Sequence, residues 1–121
     1  MIKRKIQQEL AKLAQEYKVV TITGPRQSGK TTLARMQFPD YNYVNLEEPE
    51  TRQLAERDAK EFLKRYSTPI IIDEIQRLPM LLSYIQVECD KSSAKGQYIL
   101  TGSHQPALKA EIAQSLAGRT A

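Results

Sequence analysis

The stretch from Gly24 to Thr31 constrains this chain more than any other feature. It runs Gly-Pro-Arg-Gln-Ser-Gly-Lys-Thr, with the spacing G-x-x-x-x-G-K-[ST], between an apolar run at 19–22 and a helix-like run at 31–36. In such a strand–loop–helix context, successive backbone N–H groups form a concave anion site, and the helix adds the positive end of its dipole. The stretch therefore predicts a phosphate-binding loop. The alternative is an ordinary glycine-containing turn with a surface lysine.

The residue types in this loop fit that prediction. Glycine lets the backbone approach a phosphate that a side chain would keep away. Lys30 is expected to reach the terminal phosphates, and the Thr31 hydroxyl is expected to ligate Mg²⁺. The predicted nucleotide-binding residues are Gly24, Pro25, Arg26, Gln27, Ser28, Gly29, Lys30, Thr31 and Thr32. For Arg26 only the backbone is required, and its side chain is expected to face solvent or phosphate oxygens.

Length and composition predict one domain over residues 1–121, with 40% hydrophobic and 26% charged residues. No apolar run approaches membrane-spanning length, and the basic N-terminus lacks the apolar middle of a secretory signal. The single cysteine, Cys89, excludes an internal disulfide and favours a reducing cytoplasm, which is the expected location. Cys89 and the lone His104 do not form a metal cluster.

The net charge of +4 is concentrated in residues 1–30, which carry seven Lys and Arg against two Glu. A nucleotide site accounts for part of this excess. Nucleic-acid binding is not required, because the charge is modest and no basic patch is interleaved with aromatic residues.

Strand-like and helix-like segments alternate along the chain and predict an α/β fold. Helices are predicted over 2–17, 30–36, 51–66, 78–91 and 106–116, strands over 18–23, 41–46, 69–73 and 97–101, and a turn over 47–50. This order predicts a parallel sheet of about four strands with helices on both faces. Ligands of such sheets bind at the carboxyl ends of the strands, where the loop, Asp73-Glu74 and Gly102-Ser103 all fall.

Asp73 and Glu74 follow the most apolar strand of the chain. Burying a carboxylate there is costly unless it is compensated. A Mg²⁺ ion held between Asp73, Thr31 and nucleotide phosphates would compensate it, and Glu74 could then polarise an attacking water as a general base. The alternative is a strand that ends in two solvated acids.

Other polar residues near the predicted site are ambiguous. The fourth strand ends in Thr101, Gly102 and Ser103, where a hydroxyl could sense the γ-phosphate or hold water, but Gly and Ser are also common in turns. Gln76-Arg77 is interpreted as a helix-entry turn. Arg119 could contact phosphate as an arginine finger does, although a helix-end cation is the favoured interpretation.

Four segments together resemble AAA-type P-loop ATPases. They are GPRQSGKTTL at 24–33, PIIIDEIQRLP at 69–79, YILTGSHQ at 98–105 and SLAGRTA at 115–121. More closely, they resemble bacterial and archaeal ATPases that carry an uncharacterised C-terminal domain after the AAA core. The resemblance implies a three-layer sandwich that binds ATP and Mg²⁺, with one strand between the two Walker strands.

The resemblance also implies roles for individual residues. Residues 24–31 match Walker A, Asp73 and Glu74 match Walker B, and Ser103, or else Thr101, matches the polar sensor. The expected catalytic residues are thus Glu74, Lys30 and Ser103, and the expected metal ligands are Thr31 and Asp73. Arg119 matches the arginine of the LAGR motif, but the resemblance assigns no role to this arginine.

Relatives of this kind continue past LAGRTA into a fifth strand, a lid and a further domain, so the chain is expected to be part of a longer protein. Without a fifth strand the loop strand would lie at an edge, which favours self-association. The expected function is hydrolysis of Mg·ATP to ADP and phosphate. The alternatives are a nucleotide-dependent switch with negligible turnover and, less favoured, a small-molecule kinase.

Overall fold

A computed structural model describes residues 2–24 and 29–103, together with the helical residues 108, 110 and 112. The helices are α1 (Ile2–Glu16), α2 (Lys30–Gln37), α3 (Pro49–Arg57), α4 (Ala59–Arg65) and α5 (Leu81–Asp90), with a 3-10 turn at Ile75–Arg77. The strands are β1 (Val19–Gly24), β2 (Asn42–Asn45), β3 (Ile70–Asp73) and β4 (Tyr98–Ser103). None of the helices within the described ranges combines the length and the apolar composition needed to cross a membrane.

The four strands form one parallel sheet in the order β1-β4-β3-β2. Val19 pairs with Tyr98, Ile71 pairs with Ile99, and β2 pairs with β3 from Asn42 to Asn45. The α/β class and the four-stranded parallel sheet predicted from the sequence are confirmed. The inserted strand that the resemblance implies is β4, which lies between β1 and β3.

Two hydrophobic clusters cover the two faces of the sheet and make the fold a three-layer sandwich. One face carries Ile70 and Ile72 of β3 against residues of α3, α4 and α5. The other carries Ile71 against residues of α1 and α2. Alternate residues of β3 thus enter opposite clusters, which explains why the strand is a continuous apolar run rather than an alternating one.

The helix predicted over 51–66 is wrong in its boundaries. Helix α3 begins two residues earlier, at Pro49, whose fixed φ suits the first turn of a helix, so the predicted turn over 47–50 contains a helix start. The helix then breaks at Asp58. The Asp58 side chain accepts a hydrogen bond from the backbone N–H of Glu61 at 3.1 Å and thereby caps α4.

The helix predicted over 78–91 is shorter in the structure and begins at Leu81, after the 3-10 turn. Strand β4 is longer than predicted, because it continues through Gly102 to Ser103. A side chain at Gly102 would place its Cβ 2.8 Å from Leu108 Cδ2, so glycine allows the last helix to approach the strand closely. Of the helix predicted over 106–116, Leu108, Ala110 and Ile112 are helical.

Candidate functional site

The carboxyl ends of all four strands meet at one edge of the sheet. Gly24 pairs with Ser103, and Asn45 pairs with Asp73. Because side chains alternate along a strand, Tyr43 and Asp73 lie on the same face as Ile71, and Thr101 lies on the same face as Ile99. That face is the one covered by α2, whose first two residues, Lys30 and Thr31, are the last two of the predicted phosphate loop. The sheet register therefore brings residues from three strands together beside the start of α2.

Asp73 is the centre of this cluster. Its side chain is 3% exposed, and its carboxylate accepts hydrogen bonds from three hydroxyl groups. Oδ2 accepts from Thr31 Oγ1 at 2.7 Å and from Tyr43 OH at 2.6 Å, and Oδ1 accepts from Thr101 Oγ1. Hydroxyl donors stabilise a buried carboxylate that would otherwise be costly. Asp73 thereby connects α2, β2 and β4 through one side chain.

Tyr43 is the hydroxyl partner that the sequence did not indicate. Burial raises the pKa of its phenol above the ordinary value, and the hydrogen bond to Asp73 raises it further, so Tyr43 remains a proton donor at neutral pH. The guanidinium of Arg35 lies 4.4 Å from the centre of the Tyr43 ring, an attractive cation–π geometry. The alternation of residues along β2 predicts that Tyr43 and Asn45 share one face of the sheet. Only the register between β2 and β3 shows that the Tyr43 hydroxyl reaches Asp73.

Lys30 is the first residue of α2 and is 8% exposed. Its Nζ donates a hydrogen bond to the carbonyl oxygen of Gly24 at 3.1 Å. Lys30 thus contacts Gly24, the residue at which the predicted loop begins. Gly29 has φ 86°, a left-handed conformation that favours glycine, which is a conformational reason for glycine at this position. Thr32 is exposed on α2, and residues 25–28 lie outside the described part of the chain.

Glu74 has an unusual backbone conformation. Its φ of 61° and ψ of 50° are left-handed, and it is the one non-glycine residue with positive φ in the described ranges. Such a conformation costs an L-residue about 1–2 kcal/mol, and it persists where neighbouring contacts enforce it. Its backbone N–H donates to Thr101 Oγ1 at 3.1 Å. The left-handed residue turns the chain from β3 into the 3-10 turn.

Gln76 connects Glu74 with the end of β4. Its Nε2 donates to Glu74 Oε2, and its Oε1 accepts from the backbone N–H of Ser103 at 3.1 Å. The Ser103 Oγ is buried and has no hydrogen-bond partner among the described residues. The interpretation of Gln76 as a simple helix-entry residue is therefore incomplete, since its side chain contacts two residues of the predicted site.

The side chains fit a Mg²⁺ ion of the kind that nucleotides bring. Thr31 Oγ1 and Asp73 Oδ2 are hard oxygen donors and lie 2.7 Å apart. Among the described residues no group of three His, Cys, Asp or Glu side chains is arranged to hold a metal. Mg²⁺ is commonly bound by one or two protein oxygens together with substrate phosphates and water, which is the arrangement these two residues suit.

Of the other residues considered from the sequence, Cys89 lies apart from this cluster. It is buried on α5, in the cluster that packs on the opposite face of the sheet, where it serves as a small apolar residue. His104 and Arg119 lie outside the described residues. Thr101, considered as an alternative to Ser103, is the β4 hydroxyl that contacts Asp73 directly.

Comparison with known proteins relates the chain to one family. A family model described as an AAA domain, AAA_14, matches residues 16–121. The uncharacterized protein Mb2031c of Mycobacterium bovis and the uncharacterized protein Rv2008c of Mycobacterium tuberculosis are each 36% identical to the chain over 104 residues. Those matches cover 84% of this chain but 23% of each relative. With most of its length matched by the family model, the chain belongs to the AAA_14 family of AAA domains.

Proposed function

We propose that this domain binds Mg·ATP and hydrolyses it to ADP and phosphate. The observation that carries the proposal is the cluster around Asp73, in which Thr31 and Thr101 contact one buried carboxylate, with Lys30 and Glu74 at the same sheet edge. Membership of the AAA domain family supports nucleotide binding. The hydrolytic step is our inference from the residues.

The residues divide into those that bind and those that act on water. Lys30 begins α2 and lies against Gly24, so its ammonium group is near the predicted phosphate loop. Thr31 and Asp73 supply the oxygen ligands for the magnesium ion, which, when bound, would neutralise phosphate charge and orient the phosphates. Thr101 holds Asp73 in place by donating to its Oδ1.

Glu74 is the general base in this proposal. It directly follows Asp73, so a water beside the terminal phosphate is within reach of a carboxylate from the same strand end. The left-handed turn at Glu74 separates its direction from that of Asp73, which lets one residue serve the metal and the other the water. Ser103 is proposed as a further polar contact at the end of β4.

Two substitutions in the intact protein test these roles separately. Lys30→Ala should weaken ATP binding about tenfold or more, because it removes a cation that contacts phosphate. Glu74→Gln should slow phosphate release by about 100-fold or more while leaving ATP affinity nearly unchanged, since general-base catalysis contributes about that much. Binding is measured by titration calorimetry, and turnover by phosphate release.

The outcomes distinguish the proposal from its rivals. Unchanged affinity in Lys30→Ala would contradict the site assignment. ATP binding without phosphate release in the unmodified protein would favour a nucleotide-dependent switch. Transfer of labelled γ-phosphate to an acceptor other than water would indicate a kinase.

A further inference from the structure

The side chain of Gln76 makes one bridge with both ends of its amide. The Nε2 donates to Glu74 Oε2, and the Oε1 accepts the backbone N–H of Ser103 at 3.1 Å. The two partners fix the orientation of the amide, because a backbone N–H can only donate and a carboxylate can only accept. Gln76 therefore connects the residue after β3 with the last residue of β4 in one defined arrangement.

The end of β4 is shaped to accept this amide. A Cβ at Gly102 would lie 3.1 Å from Gln76 Oε1 and 3.2 Å from Ile75 Cγ2, closer than almost all real contacts of this kind. Glycine at this position thus leaves the space that the Gln76 side chain occupies. The bridge depends on the backbone of β4 as well as on the glutamine itself.

Strand β4 holds Glu74 at two points. The backbone N–H of Glu74 donates to Thr101 Oγ1, and its carboxylate is held through Gln76 against Ser103. A glutamate side chain has several rotatable bonds, and ordering it costs conformational entropy. The contact at the carboxylate removes that freedom at the end of the side chain that would meet water.

We propose that Gln76 is a positioning residue that aims the Glu74 carboxylate, an inference that rests on the proposed role of Glu74 as general base. By donating to Oε2, the amide leaves Oε1 of Glu74 to accept a proton from water. Because the amide is neutral, it orients the carboxylate without pairing it with a full positive charge. The bridge to Ser103 makes this orientation depend on the position of the β4 end.

The test compares ATP turnover of the intact protein with that of Gln76→Met, an unbranched side chain of similar length that makes neither hydrogen bond. We expect kcat to fall tenfold to a hundredfold, about the effect of losing a hydrogen bond to a charged group. The KM for ATP and the affinity for a non-hydrolysable ATP analogue should change little. Gln53→Met, at an exposed position on α3, is the matched control and should leave kcat unchanged.

A double-substitution cycle shows whether Gln76 acts through Glu74. If it does, Gln76→Met should have no further effect once Glu74→Gln is present. An unchanged kcat in Gln76→Met, or an equal slowing in the presence and absence of Glu74→Gln, would overturn the inference while leaving the proposed ATPase activity intact. Wild-type turnover in Glu74→Gln alone would instead remove the assigned role of Glu74, and the positioning role with it.

A second variant covers the case in which Gln76→Met lowers the melting temperature. Gln76→Glu keeps an oxygen that can accept from the Ser103 N–H, but it places a second carboxyl group against Glu74. The two groups then either repel each other or share one proton, and both outcomes impair Glu74 as a base. Gln76→Glu should lower kcat by at least as much as Gln76→Met while leaving the analogue affinity unchanged. Wild-type kcat in Gln76→Glu would contradict the proposal.

Discussion

Replacing the small hydroxyl group of Thr101 with a methyl group, as in Thr101→Val, should clearly destabilise the domain. Thr101 is fully buried, and its Oγ1 both donates to Asp73 and accepts from the Glu74 N–H. Hydrogen bonds to charged groups contribute about 1.5–3 kcal/mol to stability, and neutral ones about 0.5–1.5 kcal/mol. Valine keeps the shape and adds a buried methyl group worth about 1 kcal/mol. We therefore expect Thr101→Val to lower the free energy of unfolding by about 1–3.5 kcal/mol.

Thr101→Ser is the matched control, because it keeps the hydroxyl and removes only the methyl group. Its expected cost is about 1 kcal/mol, as for the loss of one buried methyl group. Urea unfolding of the 121-residue chain with linear extrapolation measures both values. If Thr101→Val were as stable as Thr101→Ser or more stable, the hydrogen bonds of the Thr101 hydroxyl to Asp73 and Glu74 would not stabilise the domain. That result would refute the prediction.

Two further predictions concern the neighbours of Asp73. Glu74→Gly should be more stable than Glu74→Ala by about 0.5–1 kcal/mol, since relief of the left-handed conformation outweighs the flexibility of glycine in the unfolded chain. At position 53, which is exposed on α3, the alanine variant should instead be more stable than the glycine variant. If urea unfolding gave the same order of stability at both positions, the explanation would be refuted. Tyr43→Phe should lower stability by about 1 kcal/mol at pH 8, because Asp73 keeps its other two hydroxyl donors. Because the pKa of Tyr43 is raised in the folded protein, its contribution to the free energy of unfolding is complete below pH 10 and is lost as the pH rises further. Tyr43→Phe should therefore reduce the fall in the free energy of unfolding at alkaline pH, measured by urea unfolding. An unaltered fall would contradict this account.

Most of the fold could be predicted from the sequence because its signals are local and periodic. The run Ile70-Ile71-Ile72 is apolar at every position, which indicated a strand buried on both faces, and it lies in the middle of the sheet. The break between α3 and α4 was missed because the charged segment continues across it. Asp58 is unfavourable in a helix interior, and Glu61 three residues later completes the spacing of a helix N-terminus. This local signal is obscured by the charged residues on both sides of it.

The candidate site was predictable where a motif fixes the spacing and not where tertiary register decides the contact. The positions of Thr31, Asp73 and Glu74 follow from recognised patterns, and the structure brings Thr31 and Asp73 into contact. Tyr43 and Gln76 have no such pattern. Tyr43 reaches Asp73 through the pairing of β2 with β3, and Gln76 reaches Ser103 because Gly102 leaves room for it. Both contacts join parts of the chain that lie far apart in sequence.

The pairing of β1 with β4 has a consequence for the order in which the domain is built. Within the described residues, β1 has β4 as its one neighbour in the sheet, joining positions as distant as Val19 and Tyr98. During synthesis the ribosome therefore releases the strand that carries the phosphate loop long before its partner exists. β1 can pair in the sheet only after β2, β3 and the four intervening helices, α2 to α5, have been synthesised. If the domain binds ATP as we propose, binding to a nascent chain would therefore indicate that β4 is complete, not merely that the loop has been synthesised.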